Sequence, residues 1–122
     1  MADEVKVGDE LPSVVLKEGQ ANYETPVDVN LSDLTAGKKV AIFDCDAHHG
    51  DGTEALTKSN PNILSFSVHQ WGIFPYSGLV SDWERHALNF PLAANTDDEG
   101  LTDATQTFLD VCFDFEPDLI FI

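Results

Sequence analysis

Positive charge is scarce in this chain of 122 residues: six Lys and Arg stand against 22 Asp and Glu, a net charge of −16 with histidine neutral. Phosphate backbones are recognised through a Lys/Arg footprint, so direct nucleic-acid binding is excluded. An anionic membrane surface is disfavoured for the same reason. No apolar run approaches the roughly 18 residues of a membrane span, and the acidic start MADEVKVGDE lacks signal-peptide character. Cysteine is rare too. Cys45 and Cys112 form no CxxC pair, which argues against a disulfide framework and reads as two buried apolar thiols. Repeats and low-complexity tracts are missing. From these absences the expectation is an intracellular protein, cytoplasmic or nuclear. What is present is a 43% hydrophobic and 10% aromatic composition, enough for a packed core. The length suits one domain or slightly less, at about 150 residues per domain.

Charge is uneven along the chain. Residues 1–43 hold four Lys and eight acids, whereas residues 44–122 hold Lys58 and Arg85 against fourteen acids. Ser13 to Lys17 reads as a short strand followed by a turn at Gly19. Asn30 to Leu34 reads as one helical turn, with Asn30 or Ser32 as N-cap candidates. Lys39 to Phe43 is nearly continuous apolar sequence, as in a parallel strand covered on both faces. Asp51 to Lys58 suits a short helix that Pro61 ends, and Asn62 to His69 a strand with loose alternation. Residues 70–96, with Gly72, Pro75, Gly78 and Pro91, read as a long loop. A helix starts at Thr96-Asp97-Asp98-Glu99, where acids favour the positive end of the helix dipole. Its apolar stripe runs through Leu101, Ala104, Thr105, Phe108, Leu109, Cys112 and Phe113. Glu116-Pro117 ends it, and Asp118 to Ile122 begins another buried strand, inside which the chain stops. The alternation predicts an α/β fold: a partial, open, mostly parallel sheet with flanking helices.

The chemistry concentrates in Asp44-Cys45-Asp46-Ala47-His48-His49-Gly50-Asp51-Gly52-Thr53, directly after the apolar strand. Sites in parallel sheets form at the carboxyl ends of strands. Asp44, Asp46 and His48 alternate, so continued extension would put them on one side. Carboxylate oxygen and neutral imidazole nitrogen suit Zn²⁺ or Fe²⁺. Gly50 and Gly52 let the backbone turn away. A solvated acidic turn with one histidine capping a helix would have the same sequence. Two ligands alone fall short of the three that catalytic zinc normally takes.

These ten residues resemble the DxDxHHGxGT motif of zinc-dependent histone deacetylases and acetylpolyamine amidohydrolases. The resemblance continues in order. Ile63 to Gln70 resembles the family's next strand with its Ser-x-His. Phe74-Pro75-Tyr76-Ser77-Gly78 is similar to its FPGTG loop, and Asn89-Phe90-Pro91-Leu92 to its N-x-PL segment. Phe115 to Ile120 resembles its F-x-PDL strand. The match spans roughly residues 40–122 and implies an arginase/deacetylase-like fold. By position, it implies Asp46 and His48 as zinc ligands. It implies Asp44 as both the orienter of a catalytic histidine and a ligand of a monovalent cation, K⁺ in this family. Ser67 and the Val68 carbonyl would join Asp44 at that cation, and Asp51 would partner a second catalytic histidine. The implied substrate is an acetylated lysine or another acetyl-amine, with zinc polarising the carbonyl and activating water.

Three family features are not found. No histidine precedes His48, although the family's His-His pair lies upstream of this motif. The third zinc ligand belongs to the loop after the strand that here reaches Ile122, and the transition-state tyrosine lies beyond it. Activity is therefore expected to be weak or nil in this chain alone. Residues 1–43 are similar to something else. Val7 to Leu16, Val29 to Leu34 and Gly37 to Phe43 resemble the start of an atypical, peroxiredoxin-5-like peroxiredoxin. The division implied is residues 1–43 as a peroxiredoxin-like fragment and 44–122 as a partial deacetylase-like domain. Cys45 lacks a Thr-Pro-x-x-Cys setting and has acids on both sides, which disfavours a reactive thiolate.

The leading expectation is a fragment of a zinc-dependent deacetylase. A truncated, non-catalytic protein that binds partners or self-associates through open sheet edges is the alternative, and a thioredoxin-fold peroxidase the third. His69 is expected to be a packed strand-end histidine and His86 a surface residue. Trp71, Phe74 and Tyr76 are expected to pack within their loop.

Overall fold

The computed structural model describes residues 15–18, 27–30 and 35–122. The chain divides into two compact units, Met1–Lys38 and Lys39–Ile122. In the first, β1 (Val15–Glu18) pairs antiparallel with β2 (Val27–Asn30), from Val15 opposite Asn30 to Glu18 opposite Val27. Asn30, expected to cap a helical turn, ends a strand instead. The other residues of that expected turn, 31–34, lie outside the described residues, as do most of residues 1–43, on which the expectation of a peroxiredoxin-like fragment rests.

The second unit is a four-stranded, fully parallel sheet in the order β5-β4-β3-β6. Its strands are β3 (Val40–Asp44), β4 (Ile63–Gln70), β5 (Ala87–Leu92) and β6 (Leu119–Phe121), and its helices α1 (Asp51–Thr57) and α2 (Asp98–Phe115). The expected α/β architecture is what forms. No described helix is long and apolar enough to cross a membrane.

Period-two alternation sorts the side chains of β3 and β4 onto two faces. Ala41, Phe43, Leu64, Phe66 and Val68 join Ala104, Phe108, Cys112 and Phe115 of α2 in one apolar cluster. The Phe108 ring lies 4.7 Å from Phe43 and 5.5 Å from Phe66, tilted and edge-on, as aromatic quadrupoles prefer. The opposite face carries Asp44, Ser65, Ser67 and His69. Asp44 sits beside Ser67 in register. Ile42 and Asp44 share a small cavity with Thr53 and Glu54 of α1.

Helix α2 begins where the acids predict. Asp97 is the N-cap, and its carboxylate accepts the Glu99 N–H at 3.2 Å. It ends at Glu116 in the left-handed region (φ 54°), whose N–H donates to the Cys112 carbonyl, with Pro117 next. Lys39 then pins the α2–β6 turn: its N–H donates to Asp118 and its Nζ to the Phe115 carbonyl, both at 2.8 Å.

Several expectations are corrected. The stretch 70–96 is not all loop, because residues 87–92 form β5. Pro91 obscured it, yet β5 is an edge strand, where a missing N–H is tolerated. Of the α2 stripe, Leu101, Leu109 and Phe113 stay exposed, Phe113 by 85%. On β6, Ile120 is exposed, and Ile122 after it is too. Cys112 is buried as expected, which pushes its thiol pKa up, but Cys45 is exposed. His86 is no ordinary surface residue. It is half-buried at φ 52°, its ring edge-on to Phe115 at 5.0 Å, and its Nδ1 is buried with no hydrogen-bond partner among the described residues.

Candidate functional site

The sheet order places the motif. From β3 the chain steps outward through β4 to β5, then returns through α2 to lay β6 on the other side of β3. The reversal lies between β3 and β6. Open α/β sheets bind ligands outside the carboxyl ends of strands at such a switch point. Residues 44–53 leave β3 at that place.

Extension stops at Asp44, so the alternation does not carry Asp44, Asp46 and His48 along one strand. Asp44 is half-buried. A Cβ on Gly50 would collide with its carboxylate. Gly50 has φ −75°, so nothing in its backbone calls for glycine, and the atom approached is the free end of the Asp44 side chain. Gly52 has open space around its Cα. The Ser67 hydroxyl accepts the Gly50 N–H at 3.1 Å and meets His69 Nδ1 at 3.0 Å. His69 Nε2 lies 3.0 Å from the Gly78 carbonyl, which can only accept, so Nε2 carries the hydrogen. Burial lowers the His69 pKa from 6.5, and neighbouring His49 lowers it further. Together they outweigh the hydrogen bonds to Gly78 and Ser67 and the negative charge of Asp44. His69 is the packed strand-end histidine its sequence context implied.

Asp46 and His48 face solvent. Asp46 Oδ1 accepts the His48 N–H at 2.6 Å and lies 3.9 Å from His48 Nδ1. Two ligands of a tetrahedral zinc ion sit about 3.3 Å apart, given bonds near 2 Å. The pair thus fits two adjacent positions of a zinc shell with a small adjustment. Among the described residues no group of three His, Cys, Asp or Glu side chains is arranged to hold a metal. Asp51 is exposed at the start of α1, where its Oδ1 accepts the Gly52 N–H at 2.9 Å. Ser67 and Asp44 line a cavity of about 10 Å³, room for about one water or bare ion.

An open cleft of about 300 Å³ lies at the carboxyl ends of the strands, between Asp46, Gln70, Leu92, Asp97 and Leu101. A second, of about 320 Å³, is lined by Lys39, Trp83, His86 and Phe115 and has none of residues 44–53 in its lining.

His49 was not singled out by its sequence. It is 6% exposed. Its Nε2 lies 3.0 Å from Glu54 Oε2 and its Nδ1 2.8 Å from Ser77 Oγ. Asn89 Nδ2 donates to the same Glu54 oxygen at 2.9 Å. Neither histidine of the pair caps α1, whose N-cap is Gly50 without a side-chain bond. The aromatics of the 71–86 loop reverse expectation. Trp71, Phe74 and Tyr76 point outward, Phe74 by 70%, with the Phe74 ring 6.4 Å from that of His48.

The family model of the histone deacetylase domain matches residues 27–122. The chain belongs to that family. The match starts upstream of residue 40, where the motifs begin. An uncharacterized protein of Synechocystis, slr0245, is 38% identical over 88 residues, covering 70% of this chain and 29% of its own length. A probable deacetylase of Archaeoglobus fulgidus is 33% identical over 91 residues, covering 70% and 25%. Among solved structures, the HDA15 HD domain superposes with TM-score 0.62 and 28% identity, over 74% of this chain and 29% of that one. The deacetylase-like chain thus spans less than a third of the length of these relatives.

Proposed function

We propose that this chain is part of a zinc-dependent deacetylase that hydrolyses an acetyl-amide on lysine or a related amine, and that it has little activity by itself. The observation that carries the reading is the Asp46–His48 pair, two exposed donors 3.9 Å apart at the switch point of a parallel sheet. Zinc held there would supply Lewis-acid polarisation of the acetyl carbonyl and a more acidic water. The remaining roles fall to the chain. Asp44 and Asp51 are the carboxylates for two catalytic imidazoles, which would hold those rings in one tautomer and orientation. Neither carboxylate has a cationic partner among the described residues. Asp44 and Ser67 would hold a monovalent cation or a water in the small cavity, neutralising part of the Asp44 charge; Val68, grouped with them by the resemblance, lines the open cleft instead. Phe74 beside His48 offers an apolar wall for an alkyl-amide chain. The low activity follows from the donor count: two protein ligands, and no histidine before His48 to act as base. The cysteine-poor composition suits an intracellular setting, cytoplasmic or nuclear.

The test is equilibrium dialysis of the 122-residue chain against Zn²⁺, beside an assay on an acetyl-lysine peptide. One equivalent of zinc is expected, lost in Asp46→Ala and His48→Ala, with negligible hydrolysis. Zinc uptake unchanged in both variants would refute the site, and robust hydrolysis would refute the low activity.

A second reading, partner binding without catalysis, is favoured by the apolar residues left exposed on α2 and β6. It expects concentration-dependent association in sedimentation velocity. A clean monomer with a sharp cooperative melt would count against it.

A further inference from the structure

We propose that His49 is a positioning residue that keeps Asp46 and His48 in the shape able to share one ion, an inference resting on the metal reading above. The two donors are exposed and have little packing of their own. What fixes the bend between Asp44 and Asp51 is therefore decisive. Its described anchors are few. The Ala47 carbonyl accepts the Gln70 N–H at 3.1 Å, the Gly50 N–H reaches Ser67, and Asp46 holds the His48 N–H within the bend itself. The Asp51 N–H bonds back to the His49 carbonyl and the Glu54 N–H to the Gly50 carbonyl, both at 2.9 Å, and the motif side chain that ties the bend to other segments is His49, which points inward where its neighbour points out.

The imidazole of His49 joins three segments. Glu54 is a carboxylate and can only accept, so Nε2 carries the hydrogen, and in the neutral ring Nδ1 accepts from the Ser77 hydroxyl. Glu54 is in turn fixed by Asn89 Nδ2, which also donates to the Val80 carbonyl at 3.1 Å. On the ring's other side lies His69, centroids 4.8 Å apart. Gly78 completes the enclosure. A Cβ there would stand 2.6 Å from both His49 Cγ and His69 Nε2, so only glycine lets the loop close over the two rings. The ligand-bearing bend is thereby tied to α1, to β5 and to the loop carrying Phe74. Partners outside the ligand set that orient ligands typically change metal affinity about 10–100-fold.

The test titrates Co²⁺, a spectroscopic stand-in for zinc, into the full chain, reading d–d absorption and equilibrium dialysis, with circular dichroism to confirm folding. Wild type is expected to bind and His48→Ala to fail. His49→Ala is expected to weaken binding about tenfold or more and to alter the d–d bands. His49→Gln, whose amide can donate to Glu54 and accept from Ser77, is expected to restore most of the affinity. Ser77→Ala removes one tether at an exposed residue, and a severalfold loss is expected with the fold intact; it decides the matter if His49→Ala does not fold. Folded His49→Ala or Ser77→Ala protein that binds Co²⁺ with wild-type affinity and spectrum overturns this inference alone. Wild-type protein that takes up no Co²⁺ overturns the metal reading and this inference together.

Discussion

One face of the β3–β4 pair is dry and the other is wired. Toward α2, Phe43, Phe66 and Phe108 close an apolar cluster with no polar atom to satisfy. Toward α1 and the 71–86 loop run two hydrogen-bonded rows, Gly50–Ser67–His69–Gly78 and Ser77–His49–Glu54–Asn89, with the His49 and His69 rings side by side. The first face stabilises without specifying direction, since dispersion and the hydrophobic effect tolerate small shifts. The second fixes atoms to within a few tenths of an ångström, because hydrogen bonds weaken steeply off their geometry. That division of labour puts the candidate site on the polar side of strands whose other side supplies the stability.

The comparison can be broken first at the dry face. Phe108→Ala should cost about 3–5 kcal/mol, a large share of the stability of so small a domain, and is read by chemical denaturation. A loss below about 1 kcal/mol would show that the apolar cluster does not carry the fold. Next is the closure of the polar face. Gly78→Ala meets both a φ of +81° and the two imidazoles, so a loss of about 2 kcal/mol or more is expected. A helix cap tests whether local bonding outside both faces matters: Asp97→Ala should cost about 1 kcal/mol in the same assay.

A pH series sharpens the contrast. The His69 pKa is lower in the folded chain than its ordinary 6.5, so below that value the unfolded chain binds more protons. Its contribution to stability is present above 6.5 and declines as pH falls through 6.5 toward the lower folded value. The melting temperature should fall across that window, and the fall should shrink in His69→Gln. A melt insensitive to pH there would mean the ring is not held neutral. The smallest effect belongs to the rim. Phe74→Ala should change stability by no more than about 0.5 kcal/mol, because little of that ring is buried.

Much of this was legible. The apolar run 39–43, the acids at 96–99 and the Glu116-Pro117 stop mark β3, the start of α2 and its end to within a residue or two. The motif after β3 offers Asp46 and His48 as candidate ligands by residue type and position, a proposal that the zinc dialysis tests. The failures share a cause. Pro91 suggests a loop unless its strand is known to be an edge. His49 reads as the second half of a repeated residue until Ser77 and Glu54 are brought to it from 28 and 5 residues away. Phe74 and Tyr76 have the composition of core, but nothing in the described chain lies over them.

From the sequence alone came the types of β3, α1, β4, α2 and β6, the acidic character and the chemistry offered after β3, because propensity, periodicity and charge act within a segment. Only the tertiary structure decided which of two adjacent histidines is buried, which glycine is required, and which aromatics face solvent. Those outcomes depend on atoms distant in sequence, whose approach removes water from one side chain and leaves its neighbour wet.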